Sequence, residues 1–283
     1  MKFIIKHFKI ILLTILILIN IFIFYVIYSN HLGKLKIIFL DIGQGDSIFI
    51  ESPIGNQILI DGGMNSKVLE ALGKEIPFYD RAIDAVIATH PDSDHIGGLP
   101  LVLEKYKVEN YFDNGMQGDT ALSKELDKEV SNKKINYYKA EKGGLIDVGG
   151  GAYLRILSPK VISGKDTNTN SVVAKIYFGE NSVMLTGDAP IEIENDLVKT
   201  YGIELKSDIL KVAHHGSRNS LSESFLSAVS PEASIISVNK DNQYGHPHIE
   251  VLNFLKEIKS EILQTSEEGS IVFESDGYYL SRK

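Results

Sequence analysis

Thr89-His90-Pro91-Asp92-Ser93-Asp94-His95-Ile96-Gly97-Gly98 places two imidazoles and two carboxylates within six positions. Side chains this close repel one another and are costly to desolvate unless a cation sits among them. Of the eight histidines in the chain, six fall in three groups: His90 with His95, His214 with His215, and His246 with His248. Each group lies in a loop that also holds Gly or Pro. A single histidine is ordinarily a satisfied core or surface residue, but three clusters of this kind point to a metal or catalytic site. Asp188 stands in Leu185-Thr186-Gly187-Asp188-Ala189-Pro190, between a strand pattern and a helix start. Two roles are open to it. It can cap the helix, which the following proline favours, or its carboxylate can bridge two cations. The complete absence of cysteine excludes thiolate ligands and disulfides, leaving nitrogen and oxygen donors.

The elements that must position these groups follow from the hydrophobic pattern. Lys36–Leu40, Ser47–Ile50 and Gln57–Ile60 read as strands. The glycine turns Asp41-Ile42-Gly43-Gln44-Gly45-Asp46 and Asp61-Gly62-Gly63 flank them. Val68 to Phe78 has helical spacing, and Ile83–Thr89 is an apolar strand that delivers the chain to His90. Residues 115–150 are polar, rich in Lys and Glu, and show no defined element. Ser171–Phe178 and Ser182–Thr186 pair across Gly179-Glu180-Asn181. Helices are expected over Ile191–Thr200, Leu221–Val229 and Glu250–Ile258, strands over Ile209–Ala213 and Ala233–Val238, and one or two closing strands over residues 270–281. Strands first, then mixed strand and helix, in two halves of similar size, suit a layered α/β domain with helices outside packed sheets.

The N-terminus is different. Lys2, Lys6 and Lys9 precede an apolar run from Ile10 to Tyr28, close to the roughly 20 residues that span a bilayer as a helix. Basic residues ahead of the run favour a cytoplasmic N-terminus with the remainder outside, a signal that Lys34 and Lys36 weaken slightly. A signal peptide would have a shorter apolar core of roughly 7–15 residues and a small-residue cleavage site. Tyr25-Val26-Ile27-Tyr28-Ser29-Asn30 lacks that pattern, so an uncleaved anchor is expected. The run is apolar on every face, which argues against a buried core helix. Residues 1–36 carry five lysines and no acids, so the net charge of −8 leaves −13 for the rest. A domain so acidic is poorly suited to gripping nucleic-acid backbone over a wide surface.

His-x-Asp-x-Asp-His followed by Gly-Gly resembles the second motif of the metallo-β-lactamase superfamily, commonly His-x-His-x-Asp-His, with Asp92 here in place of the central histidine. Further segments match in order: Phe39 to Asp46, Asp61-Gly62-Gly63, Leu185-Thr186-Gly187-Asp188, Leu210 to Ser217, and Tyr244-Gly245-His246-Pro247-His248. Together they resemble the C-terminal β-lactamase-like domain of the ComEC competence proteins, and are similar to phosphorylcholine esterases that act on teichoic acid. The resemblance runs over roughly residues 36–281. It implies an αββα sandwich; with the N-terminal reading, residues 1–33 are expected as a transmembrane anchor and linker and residues 34–283 as a hydrolase domain. It also implies two divalent metal ions. One would take His90, Asp92 and a histidine of the His214–His215 pair, the other Asp94, His95 and His246, with Asp188 bridging. His214 is preferred within its pair, although the sequence does not decide. Asp61 would order the metal loop. Asp94, Asp188 and His248 would be catalytic, with His248 beside the ligands or facing the substrate, and Ser217 and Lys240 are open to substrate contact.

The implied chemistry is hydrolysis by water activated between two metals about 3.5–4 Å apart. The carboxylate of Asp92 makes the site harder and shifts preference toward manganese, with zinc also compatible. A harder site suits phosphoesters better than β-lactams. The expected function is a membrane-anchored phosphodiesterase or nuclease, its domain facing outward and its substrate a nucleic acid. The alternatives are a phosphodiester envelope polymer such as teichoic acid as substrate, or a non-catalytic scaffold. The intact set of ligands counts against the scaffold. ComEC proteins also carry a polytopic channel region and an oligonucleotide-binding domain, and this sequence shows a single span and neither. The resemblance therefore supports the chemistry rather than DNA uptake by this chain alone.

Overall fold

A computed structural model describes residues 2–31, 33–162 and 164–283. Helix α1 (Lys2–His31) contains His7–Tyr25, long and apolar enough to cross a membrane and nowhere buried. The chain then forms β1 (Leu35–Phe39), β2 (Ile48–Glu51), β3 (Gln57–Ile60), α2 (Lys67–Glu75), β4 (Ala82–Ala88), α3 (Ser93–Ile96), α4 (Leu99–Lys105), β5 (Lys107–Asp113), α5 (Ala121–Asn132) and β6 (Asn136–Lys139). It continues through β7 (Leu145–Gly149), β8 (Ala152–Ser158), β9 (Val173–Phe178), β10 (Asn181–Leu185), α6 (Ile191–Tyr201), β11 (Ile209–Lys211) and α7 (Glu223–Val229). Last come β12 (Ala233–Ile236), α8 (Ile249–Glu257), β13 (Glu261–Gln264), α9 (Thr265–Glu268), β14 (Ile271–Ser275) and β15 (Leu280–Arg282).

Eight strands form one sheet in the order β15-β14-β1-β2-β3-β4-β5-β6, and seven form the other in the order β13-β12-β11-β10-β9-β8-β7. Alternation along each strand divides the apolar residues between faces. Ile37 and Phe39 of β1 join Ile50, Ile87, Leu154, Ile176, Val183 and Ile235 between the sheets. Ile38, on the opposite face of β1, packs with Phe49, Leu59 and Val86 against Leu72, Leu99, Val102 and Leu126 of α2, α4 and α5. Met184, Leu210 and Ile236 meet Leu197, Phe225, Val251 and Leu255 of α6, α7 and α8 on the far side. The result is the αββα sandwich that the motifs implied.

The end of the chain completes the first sheet. The β14–β15 hairpin crosses back to pair with β1, with Phe39 opposite Ile271. Residues 115–150, which showed no defined element, contain α5, β6 and β7. Helix α5 buries only Ser123, Leu126 and Val130, and every residue of β6 is exposed. Neither therefore carries an apolar signature. The strand expected to run to Ala213 ends at Lys211, and residues 213–216 form a tight turn.

Strands β3 to β6 run parallel, as do β10 to β13. Parallel strands deliver their C-terminal loops to one edge of a sheet. Here β4 leads to His90, β10 to Asp188 and β11 to His214 and His215, so residues distant in sequence arrive at one rim.

Glu194 ties α6 to the start of α7. It is fully buried, and its carboxylate accepts the amides of Leu221 (2.8 Å) and Ser222 (2.5 Å). Burial pushes its pKa up to about 7, outweighing the pull of those amides. A carboxyl raised in the fold binds more protons there than in the unfolded chain. Its contribution to stability is thus full below the unfolded value and is lost as pH rises toward 7. The loss amounts to about 3 kcal/mol at most. Glu194→Gln is expected to remove this slope. The variant's Tm relative to the parent should be more favourable at pH 8 than at pH 5, as read by paired thermal melts. Equal offsets at the two pH values would refute the titration.

Candidate metal centre

The centre is built on Asp61, at the end of β3. Its carboxylate accepts the Thr89 amide (2.8 Å) and hydroxyl (2.7 Å), and the Nδ1–H of His95 (2.8 Å). This holds Nδ1 in place and leaves Nε2 directed inward. The segment from His90 to His95 is cradled by backbone: Asp46 N–H donates to Asp94 O (3.2 Å) and Gly62 N–H to His95 O (2.6 Å). Gly45 must be glycine for this approach. Its φ is +112°, and a Cβ there would lie 2.0 Å from Asp94 O.

Asp188 is the hub. Its Oδ1 lies 3.3 Å from His95 Nε2. Its Oδ2 lies 3.9 Å from His90 Nε2, 3.8 Å from His214 Nε2 and 3.9 Å from His215 Nε2. Two further carboxylates flank it: Asp92 Oδ2 is 3.7 Å from His90 Nε2, and Asp94 Oδ2 is 3.3 Å from His215 Nε2. Donor atoms of His90, His95 and Asp188 fall within 4.8 Å of one another, as do those of Asp94, His95 and His215. The Nε2 atoms of His90 and His95 and the Oδ1 of Asp188 are buried without a hydrogen-bond partner among the described residues. Orphaned buried donors and acceptors are costly, and a divalent cation satisfies all three. The residues fit a metal centre.

The electrostatics show carboxylates that attract positive charge: against burial, they raise His95 well above its usual value and His215 to about 9. Burial alone would raise Asp188, but the imidazoles of His95, His215 and His90 outweigh it and hold the carboxyl well below the usual range. Burial, reinforced by His95, pushes His90 down to about 4, which leaves its imidazole neutral at pH 7.

His214 and His215 resolve the choice between neighbours in an unexpected way. Their φ values are +48° and +54°, followed by +81° at Gly216. Successive left-handed residues are rare outside glycine and mark functional strain. Here they let adjacent side chains share one pocket. His215 is buried, donates Nδ1–H to Ser237 O (2.9 Å) and turns Nε2 to Asp94. His214 keeps 30% of its side chain exposed. Both reach Asp188, and His215 groups with Asp94 and His95, whereas His214 and Asp92 join no cluster of three donors among the described residues.

The structure does not bring His246 into a cluster of three donors among the described residues. Its ring lies 5.7 Å from that of His214 and 6.5 Å from that of His215. Burial and the imidazoles of His214, His215 and His248 push its pKa down to about 4. His248 opens α8 and accepts the Arg218 amide on Nδ1 (3.2 Å), so its ring supports the loop beside the centre. Asp188 is not a helix cap, since α6 begins at Ile191 with Pro190 at its cap.

Sequence reasoning missed Asp46 and Lys211. They form an ion pair of 2.7 Å with both side chains buried, directly behind His215, whose Nδ1 is 3.4 Å from Asp46 Oδ1. The signal was a lysine inside the apolar run Ile209 to Ala213, since a buried lysine requires a buried partner. Ser171 was also missed. Its hydroxyl stands 3.2 Å from His90 Nδ1 and accepts the Asp188 amide (3.3 Å).

Comparison with known proteins agrees with this geometry. Residues 40–238 match the metallo-beta-lactamase superfamily. The chain belongs to that superfamily, whose members are generally metal-dependent hydrolases. It is 34% identical over 259 residues to ComE operon protein 3 of Bacillus subtilis, covering 83% of this chain and 32% of that protein. It thus spans about a third of the length of that relative. It is 31% identical over 107 residues to exodeoxyribonuclease WalJ of Streptococcus pneumoniae, covering 37% of this chain and 39% of that one. Among solved structures, Tm1679, a metal-dependent hydrolase of the β-lactamase superfamily, shares the fold with a TM-score of 0.51 at 14% identity, covering 82% of this chain and 95% of that one.

Proposed function

We propose that this chain is a membrane-anchored phosphodiesterase that hydrolyses a nucleic-acid strand. The observation that carries the reading is the set of donors converging on Asp188 from two sides. His90, Asp92 and His214 would hold one divalent cation, and Asp94, His95 and His215 the other, with Asp188 shared. When bound, the cations supply Lewis acidity, which eases the ionisation of water near neutral pH and offsets charge on a phosphodiester.

The chain's own residues supply the rest. Asp61, Ser237 and Ser171 orient the imidazoles from behind. Asp92 and His214 keep 40% and 30% of their side chains exposed while His90, His95 and Asp188 are buried, so a substrate approaches from that side. Tyr244, exposed and stacked on His246 at 5.7 Å, offers a flat apolar surface at this mouth. An aromatic face near a scissile phosphate suits an unstacked base, and the acidic body of the domain disfavours extensive duplex contact. The exodeoxyribonuclease relative supports the same substrate class.

The test uses the full chain in detergent, loaded with manganese or with zinc. It is given end-labelled single- and double-stranded DNA and bis-p-nitrophenyl phosphate, beside an Asp94→Ala, Asp188→Ala double variant. Cleavage of the single strand and the small diester, absent in the double variant, is the expected result. Turnover of the small diester but not of DNA would redirect the reading to an envelope polymer such as teichoic acid. Activity surviving in the double variant would overturn the site. No turnover at all, with well under one metal bound per chain, would favour a scaffold.

A further inference from the structure

The end of the sandwich opposite the metal centre carries an exposed aromatic row. Strand β1 runs from this end toward Asp46, so Gly33, where the chain leaves α1, lies here, and its amide donates to Pro53 O (3.2 Å). The β2–β3 turn therefore flanks that point on one side, with Ile54 at its tip. The β14–β15 turn flanks it on the other, because β14 also pairs with β1. That turn presents Tyr278 and Tyr279, exposed by 76% and 79%. Two strands beyond β2, the loop ahead of β4 presents Phe78 and Tyr79, exposed by 83% and 74%. Ile203, 87% exposed, precedes β11 at the same end of the second sheet. Among the described residues of the domain, the only other large apolar side chain this exposed is Val161, at 74%.

These tips are built rather than loose. Asp276 accepts the amides of Tyr278 (2.9 Å) and Tyr279 (2.8 Å). Gly179 packs so tightly on Gly277 that a Cβ there would lie 2.2 Å from Gly277 O. The Phe78 and Tyr79 rings meet edge to face at 5.5 Å, and Gln57 Nε2 donates to Asp80 (2.7 Å) to hold their loop. Rigid loops that hold large apolar rings in water, where no packing requires them, are unusual. Phenylalanine and tyrosine, apolar bodies with or without a polar rim, are the side chains that settle at a bilayer's headgroup boundary.

We propose that Phe78, Tyr79, Ile203, Tyr278 and Tyr279 seat the domain on the lipid surface around the emergence of α1. The inference rests on reading α1 as a membrane span. The row crosses the five strands from β14 to β4, roughly 19 Å at about 4.8 Å per strand. It flanks the anchor on two sides and fixes the tilt of the domain. The seven residues of β4 separate it from the metal centre, roughly 23 Å at about 3.3 Å per residue. The metal centre therefore opens away from the bilayer, onto a polymer in the aqueous space rather than onto a lipid headgroup.

The chain has no tryptophan, so single substitutions report without background. Phe78→Trp, Tyr278→Trp, Phe22→Trp within the span, and Tyr244→Trp at the metal mouth are compared in the full chain, reconstituted in phosphatidylcholine–phosphatidylglycerol vesicles with and without brominated phosphatidylcholine. Quenching at positions 78 and 278 at least about twofold greater than at 244, with protection from aqueous iodide, is the expected result. Quenching at 22 but not at 78 and 278 overturns the seating and leaves the anchor standing. Quenching at none of the four overturns both. Neither 78 nor 278 is buried, so the variants keep the core intact.

Discussion

Asp188→Ala is expected to lower metal content from two ions per chain to one or fewer, and to reduce turnover by on the order of 10³-fold or more. Loss of an outer partner of a metal ligand already costs about 10–100-fold, and Asp188 would be a shared inner donor. Its Oδ1 faces His95 while its Oδ2 faces His90, His214 and His215. Among the described residues, no other carboxylate touches both groups in this way. Asp92 is at ion-pair distance from His90 alone in the cluster, and Asp94 from His215 alone. Asp188→Asn separates charge from shape. It keeps the volume and one oxygen but removes the anion around which four imidazoles gather, so it should lose most of the affinity while melting close to the parent. Elemental analysis after loading, calorimetric titration and turnover of a small diester read the two variants side by side. Retention of both ions by the Asn variant would transfer the bridging role to another carboxylate, with Asp46 and Asp94 the nearest.

How much of this centre was legible in the sequence follows from how local each signal is. His90, Asp92, Asp94 and His95 declare themselves by spacing alone, and Asp188 by its place between a strand and a proline. Their convergence follows from parallel strands, which the hydrophobic pattern did not specify. The pairing of His214 with His215 was not legible, because it depends on the sign of φ at two consecutive residues, and nothing in their identity announces it. Gly216 is the one local hint, since glycine tolerates that region freely. The place of His246 beside His214 and His215, outside the three-donor clusters, has a related cause. A Gly-His-Pro-His loop looks like a ligand loop, yet its position is set by tertiary packing against His214 and Arg218. The missing elements, α5 and β6, lie at the polar edge of their sheet, where little apolar surface is buried and the binary pattern fades. The apolar helix α1, by contrast, was readable residue by residue, because a run long and apolar enough to cross a membrane is defined by composition and length.

The Asp46–Lys211 pair makes the largest demand on the fold. Lys211→Met is expected to destabilise the domain by about 3–5 kcal/mol, since it leaves a buried carboxylate without its cation. For a domain of this size that is a fall in Tm of roughly 10 °C. Burial alone would raise Asp46, but Lys211 and then His215 hold it well below the usual carboxylate range. The charge therefore persists at every working pH and must be balanced. The lysine also donates to Val212 O (2.9 Å), at the point where β11 gives way to the strained turn carrying His214 and His215. Removing it should accordingly loosen that turn and weaken metal binding through His215, although Lys211 lies behind the donors and touches no substrate. Adding Asp46→Asn to Lys211→Met removes the orphaned charge and should restore most of the lost stability, because replacing both members of a buried pair is often close to neutral. Metal affinity should recover less, since Asp46 no longer steadies His215 from behind. Thermal melts of the two single variants and the double, read as a cycle, separate these effects. If the single-variant losses simply add in the double, the pair is not coupled, and Lys211 acts through packing alone.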